Sequence, residues 1–203
     1  MKNKKLIMGS ALLSVLIALG MGQSKLQEPT VAASNAVMAP HFLVDPYWPK
    51  PLPNNWAMGN TIGVDVDERD HVFVVHRNDA SQFGGNTEIG LQGGVAECCT
   101  PAPPIIEFDA AGNVVNAWGG PVEGAPYIWP ASNHGIEIAP NGDVWIGGNG
   151  GGDSHVLVFS RDGEYIRTIG VQGEGRDSNS QTHFSRVAEI AIDVEANEAF
   201  FAD

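Results

Sequence analysis

The sequence predicts an all-β fold built from a unit of four short strands that the chain repeats, and three observations carry that prediction. Glycine and proline are frequent, 25 and 13 of 203 residues, which punctuates the chain too often for long helices. After the first 24 residues no stretch shows the apolar period of an amphipathic helix, and short runs rich in Val, Ile, Phe, Trp and Tyr are separated by turn residues instead. From Thr61 onward the chain also repeats itself.

Taken in order, the chain opens on Lys2, Lys4 and Lys5, followed by an apolar run over 6–19 that ends in Gly20-Met21-Gly22. That is the pattern of a secretory signal peptide over 1–24. The run is shorter than the roughly 20 apolar residues a membrane span needs. Cleavage is expected near Gln23 or among Ala32, Ala33 and Ala36, and no cysteine follows the run to carry a lipid anchor. The expectation is a secreted or periplasmic protein with no membrane contact beyond the signal segment. Residues 25–58 then read as a tether and an extended arm, with Pro46, Trp48, Pro49, Pro51, Pro53 and Trp56 giving a stiff chain whose aromatics pack on the body.

The repeat occupies 59–203. Residues 61–66 lead through a turn at 67–70 into 72–75; 105–108 then turn through Ala110-Ala111-Gly112-Asn113 into 114–118. The unit recurs as 135–138, the turn Asn141-Gly142, 144–146, then 156–159, the turn Asp162-Gly163, and 165–169. Asn-Gly and Asp-Gly are hairpin-turn pairs because they tolerate the left-handed backbone such turns require. A third unit starts over 187–194 and enters a strand at 199–202. The opening strands align at Gly63, Gly135 and Glu189, 72 and 54 residues apart, against about 40 to 50 for the blades of a β-propeller. The excess lies in connections at 78–104, 119–132 and 171–185, the kind of length that lids and binding loops have. Two and a half blades are present and closure takes about four to eight, so the sequence reads as the N-terminal fragment of an incomplete propeller. Standing alone, it would need self-association to cover its open edge.

Charge narrows the partners. Beyond Ser24 there are eight basic and 24 acidic residues, a net charge of −16. That excludes nucleic acid as a partner class and favours cations near the surface. The two cysteines, Cys98 and Cys99, are adjacent, so they form either a vicinal disulfide or two thiols, and no further ligand stands at zinc spacing beside them.

The run Gly170 to Gly175, Phe184, then Glu189-Ile190-Ala191-Ile192-Asp193 and Phe200-Phe201-Ala202-Asp203 resembles an NHL repeat. Two further stretches are similar to peptidylglycine α-hydroxyglycine amidating lyase (peptidylamidoglycolate lyase), a six-bladed NHL-type propeller: Gly63-Val64-Asp65-Val66-Asp67 leading to His76-Arg77-Asn78-Asp79, and Asn133-His134-Gly135-Ile136 with Asn141-Gly142-Asp143-Val144-Trp145. The resemblance spans about residues 60–203. It implies that His134 is one of three zinc-binding histidines, each at the start of a different blade, and that Arg77 is an active-site arginine facing the substrate. It also implies that the backbone carbonyls of Val64 and Ile136 bind a structural calcium.

The residue types suit those roles. Imidazole is a good ligand for a borderline cation, a guanidinium grips a carboxylate through two parallel bonds, and carbonyl oxygens are hard ligands for calcium. A histidine bonded to the loop ahead of the strand, and an arginine on a solvated loop, are the plain structural alternatives. The remaining zinc histidines, the calcium carboxylate and the family's catalytic tyrosine would lie past Asp203, so the chain as given is expected to be inactive.

The other histidines carry less. His71 and His155 sit at strand starts where ordinary hydrogen bonding suffices, His76 shapes the loop beside Arg77, and His183 faces a channel mouth. Asp65, Asp67, Glu137 and Asp193 recur along inner strands and either line a channel with carboxylates or coat solvated faces. The glycine-rich stretch 147–153 lacks the Lys-Ser/Thr of a phosphate loop and reads as a flexible connection. Two functions follow: a metal-dependent lyase acting on a small-molecule or peptide substrate in the complete protein, with zinc and calcium as cofactors, or a non-catalytic propeller binding a peptide, glycan or protein partner.

Overall fold

The computed structural model describes residues 40–78, 98–173, 177 and 179–203. The expected signal segment, most of the expected tether and residues 79–97 of the first long connection lie outside them. The chain divides into two units. In Met1–Val44 the described residues 40–44 are exposed and without regular structure. Among the described residues all strands belong to Asp45–Asp203, and no helix is long and apolar enough to cross a membrane.

After a 3-10 turn at Pro53–Asn55, β1 (Trp56–Ala57) precedes a four-stranded sheet of β2 (Thr61–Val66), β3 (Val72–His76), β5 (Ile105–Phe108) and β6 (Val114–Trp118), antiparallel in that order. The short β4 (Thr100–Pro101) lies outside it and pairs in parallel with β1. A second antiparallel sheet contains β7 (Asn133–Ile138), β8 (Val144–Gly148), β9 (His155–Phe159) and β10 (Tyr165–Gly170), in chain order. A third pair is β11 (Glu189–Asp193) with β12 (Glu198–Ala202). Several strands run one or two residues past the expected ends, while β11 is shorter than the expected 187–194; Asn133 still pairs with Gly148, so His134 lies inside β7 and not ahead of it.

One turn closes four of the hairpins. Asp67 N–H donates to the His71 carbonyl and Asp70 N–H to the Asp67 carbonyl, and the same two bonds recur at 109–113, 139–143 and 160–164. The fourth residue of each turn is left-handed: Asp70 (φ 58°), Gly112 (87°), Gly142 (89°) and Gly163 (86°). This is a type I turn with a one-residue bulge, which glycine fills without steric cost and aspartate at a small one.

Three apolar layers hold the unit together. Trp48, Leu52, Trp56 and Met58 of the arm pack on Val74, Ile106 and Phe108, one face of the first sheet. The other face, with Phe73, Val75 and Ile105, meets Ile136, Val144, Ile146, Leu157 and Phe159 of the second sheet. Trp145 and Val156, on the far side of that sheet, pack with Val187, Ile190 and Phe201. Strands covered on both faces are buried along their whole length, as β5 and β9 are, and their polar members Glu107 and His155 are hydrogen-bonded inside.

The first strands β2, β7 and β11 lie side by side, and their contacts repeat. A side chain at Gly63 would come within 2.7 Å of the His134 carbonyl oxygen, and one at Gly135 within 3.1 Å of the Ala188 carbonyl oxygen. Asp65 accepts a hydrogen bond from Ile138 N–H (2.6 Å), and Glu137 accepts one from Ile192 N–H (3.2 Å). These two carboxylates therefore reach the next strand's backbone. Burial pushes the Glu137 carboxyl above its ordinary range, and repulsion from Asp65 adds to it.

Candidate metal and substrate site

The start of β7 is irregular, with a register shift between Asn133 and Ile136, and this is where the candidate residues meet. Asn133 is fully buried and fixes the position: its Oδ1 accepts from Trp129 Nε1 (2.7 Å) and its Nδ2 donates to the His76 carbonyl (2.8 Å). The half-buried His134 follows, with Nδ1 2.9 Å from the Ala188 carbonyl oxygen. A carbonyl can only accept, so this bond puts the proton on Nδ1 and leaves the lone pair on Nε2. Metal-binding histidines are oriented by such a bond from the far nitrogen, and the same bond satisfies a purely structural histidine.

Arg77 leaves β3 beside this point, its N–H donating to the Asn60 carbonyl (3.0 Å). The residue is 6% exposed. Nε donates to the Asn133 carbonyl (3.4 Å) and one terminal nitrogen to Asn149 Oδ1 (3.0 Å). Burial lowers its pKa from the ordinary value. The guanidinium thus holds the residue next to His134 and joins the end of β3 to the loop after β8.

That loop is organised by a residue that no sequence motif singles out. Asp153, 1% exposed, accepts from Ala131 N–H (2.8 Å) at Oδ1 and from Ser132 N–H (3.0 Å) and Gly150 N–H (2.7 Å) at Oδ2. Side chains at Gly148 or Gly150 would run into this carboxylate at 2.6 and 2.8 Å. The expectation of a flexible connection is therefore corrected: the glycines make room for a buried carboxylate that ties 131–132 to 150. An acidic residue closing a glycine run was the available signal.

Strand parity places the carbonyls of Val64 and Ile136. The turn bonds at Asp67–His71 and Ala139–Asp143 make those pairs hydrogen-bonded ones, so alternate residues Val66 and Val64, and Ile138 and Ile136, direct their backbone groups away from the ladder. The N–H groups of Val66 and Ile138 agree, since both go to Asp65 carboxylate oxygens and not to a paired strand. The Val64 and Ile136 carbonyls therefore lie on the open edges of two adjacent strands.

Other residues serve the fold. Arg161, on the β9–β10 turn, reaches across to pair with Asp67 and Glu107 of the first sheet, and lies 4.9 Å over the Phe73 ring. Glu107 also takes His71 Nδ1 at 2.7 Å. Burial pushes the Glu107 carboxyl up against the pull of His71. For Asp67 burial acts the same way, but the N–H groups of His71 and Arg69 and the Arg69 guanidinium outweigh it and hold the carboxyl below its ordinary range. His155 bonds the Ile128 carbonyl (2.8 Å), and His183 meets Ser180 Oγ (2.9 Å). Cys98 and Cys99 are joined as a disulfide. Among the described residues no group of three or more His, Cys, Asp or Glu side chains is placed to hold a metal ion. A cleft of about 810 Å³ opens between the hairpin ends, lined by Asp67, Arg69, Asp143 and Arg161 among others, with none of the candidate residues on its wall.

Comparison with known protein families and with curated proteins finds no match. The case for a function therefore rests on His134, on the Arg77 guanidinium that holds the neighbouring Asn133 carbonyl, and on the carbonyl edges beside them.

Proposed function

We propose that the two sheets and the β11–β12 pair are blades of an exported, six-bladed β-propeller of the NHL type that carries a metal-dependent lyase site. The observation that carries the site is the bond from His134 Nδ1 to the Ala188 carbonyl, which leaves Nε2 as a ligand beside the Arg77–Asn133 contact. The repeated contacts between β2, β7 and β11 support the propeller.

Tight zinc binding takes three or four protein ligands, so His134 shares the ion with ligands outside the described residues. Zinc held there would supply Lewis acidity to a substrate hydroxyl oxygen. Arg77 would orient the substrate from the neighbouring blade, and the Val64 and Ile136 carbonyls would hold calcium. The substrate is an α-hydroxyglycine-type carbinolamide. Its hydroxyl loses a proton to a base, the carbon–oxygen bond becomes the aldehyde of glyoxylate, the C–N bond breaks, and the nitrogen takes a proton and leaves as an amide.

The full-length gene product, loaded with zinc, is expected to release glyoxylate from a peptide ending in α-hydroxyglycine, and His134→Ala to abolish that release. Zinc-loaded protein that releases none would overturn the lyase reading. The cleft between the hairpin ends, with charges of both signs on its wall, favours a second reading in which the propeller binds a peptide, glycan or protein without chemistry.

A further inference from the structure

We propose that the disulfide between Cys98 and Cys99 is a thiol–disulfide exchange site that takes a dithiol, and that its redox state sets how firmly the strip 100–104 holds His76 and Arg77. The exchange step is independent of the proposed lyase activity, whereas its value as a control on Arg77 rests on that reading.

The fold gains little from this bond. A disulfide stabilises chiefly by closing a loop of unfolded chain, and the gain grows with the length of that loop. Cys98 and Cys99 are adjacent and joined to each other, so the bond closes no loop and ties no two elements together. It locks only the backbone between them into a small ring. Cys98 is exposed and Cys99 half-buried, and exposed disulfides are the ones that thiols attack and that serve regulation or catalysis. The sequence has no third cysteine, so no other thiol of the chain can divert the exchange.

The strip that follows is stiff and attached at both ends. Thr100 and Pro101 pair in parallel with Trp56 and Ala57 of the arm. Three of the four residues 101–104 are proline, whose rings fix φ, so a shift at Cys99 is passed along the strip and not absorbed within it. Ala102 is fully buried in the layer that holds Trp48 and Trp56, and its N–H donates to the Ala57 carbonyl (3.0 Å). At the far end the Pro103 carbonyl accepts from His76 Nε2 (2.9 Å) and the Pro104 carbonyl from His76 N–H (3.0 Å). The arm grips the same place from the other side: Gly59 N–H donates to His76 Nδ1 (3.0 Å), and Arg77 N–H to the Asn60 carbonyl (3.0 Å). His76 and Arg77 are thus clasped between arm and strip, and the disulfide adjoins the first residue of the strip.

In the exchange, one thiol of the dithiol loses its proton and the thiolate attacks the Cys98 sulfur. The S–S bond breaks, Cys99 leaves as a thiolate that takes up a proton, and a mixed disulfide forms at Cys98. The second thiolate of the reagent then attacks the reagent's own sulfur in that mixed disulfide and releases Cys98. Two electrons have passed to the pair, which ends as two thiols, and the dithiol ends as a disulfide. Opening the ring frees the backbone at 98–99 and slackens the entry to the strip.

The full-length gene product, equilibrated in dithiothreitol buffers of graded oxidised-to-reduced ratio, tests this. Alkylation and mass measurement count the thiols, and hydrogen exchange follows the backbone amides. The two cysteine thiols are expected to appear and disappear reversibly while near-UV circular dichroism stays native. In the reduced protein the amides of Ala102, His76 and Arg77 should exchange about tenfold faster, roughly the protection one neutral hydrogen bond gives. Those of Gly142 and Gly163, in turns of the second sheet, should not change. Cys98→Ser combined with Cys99→Ser should show the fast exchange in every buffer. A pair that stays oxidised until the protein unfolds, or reduction that leaves Ala102, His76 and Arg77 as protected as before, would overturn the proposal. Glyoxylate release by the oxidised protein tests the lyase reading separately, so the two failures are distinguishable.

Discussion

His134 Nδ1 donates to the carbonyl oxygen of Ala188, 54 residues further along the chain, at 2.9 Å. The bond joins two neighbouring first strands and also sets the tautomer, and these two roles separate on substitution. His134→Ala removes one neutral, partly exposed hydrogen bond and should cost about 1 kcal/mol in urea unfolding. Zinc-dependent glyoxylate release by the full-length gene product should vanish in the same variant. Retained release together with a larger loss of stability would make His134 structural only.

Asp153 is predicted to matter more for stability than any candidate site residue. Its carboxylate accepts three backbone N–H bonds with almost no exposure, and an amide turns one of those oxygens into a donor facing N–H groups. Asp153→Asn should therefore cost about 3 kcal/mol. Because Asn149 lies in the loop that Asp153 fixes, the same change should loosen Arg77. Hydrogen exchange at Ser132 and Gly150 amides, faster in the variant, would show that the loop has opened.

His76 gives a pH dependence with a definite sign. It is fully buried between Gly59 N–H, which it accepts at Nδ1, and the Pro103 carbonyl, to which Nε2 donates. Burial pushes its pKa down from 6.5 to about 4. The folded state holds this proton less tightly than the unfolded chain. Its contribution to stability is therefore complete above pH 6.5 and is lost as pH falls from there to about 4. At about 1.4 kcal/mol per pH unit, that is about 3 kcal/mol. His76→Gln keeps a donor and an acceptor without the titration, so its urea midpoint should fall less steeply than the wild type's across this window.

The strands and their turns were legible because they are local. Asn141-Gly142 and Asp162-Gly163 announce their hairpins through backbone chemistry, and the apolar runs around them have strand length. What joins one sheet to the next was not legible. Asp65 and Glu137 looked like solvated or channel-lining carboxylates, and only the approach of the next strand's N–H groups gives them partners. Arg161 is 54 residues from Glu107, and no periodicity connects them. His134 and Arg77 stood out by likeness to a family motif; Asn133 and Asn149, which set their geometry, carry no such signature.

Two glycines with one backbone conformation separate strain from packing. Gly142 has φ 89° and an added β-carbon would meet nothing within 4 Å, whereas Gly163 has φ 86° and an added carbon would lie 2.7 Å from the Trp118 ring. Gly142→Ala should cost only the left-handed backbone, about 1 kcal/mol. Gly163→Ala adds a clash with an indole packed between Phe159 and the turn, so it should cost about 2 kcal/mol more in thermal unfolding. Combining Gly163→Ala with Trp118→Ala should cost less than the sum of the two, since the second change removes what the first collides with. Equal costs for the two glycine substitutions would mean that Trp118 does not cover the turn.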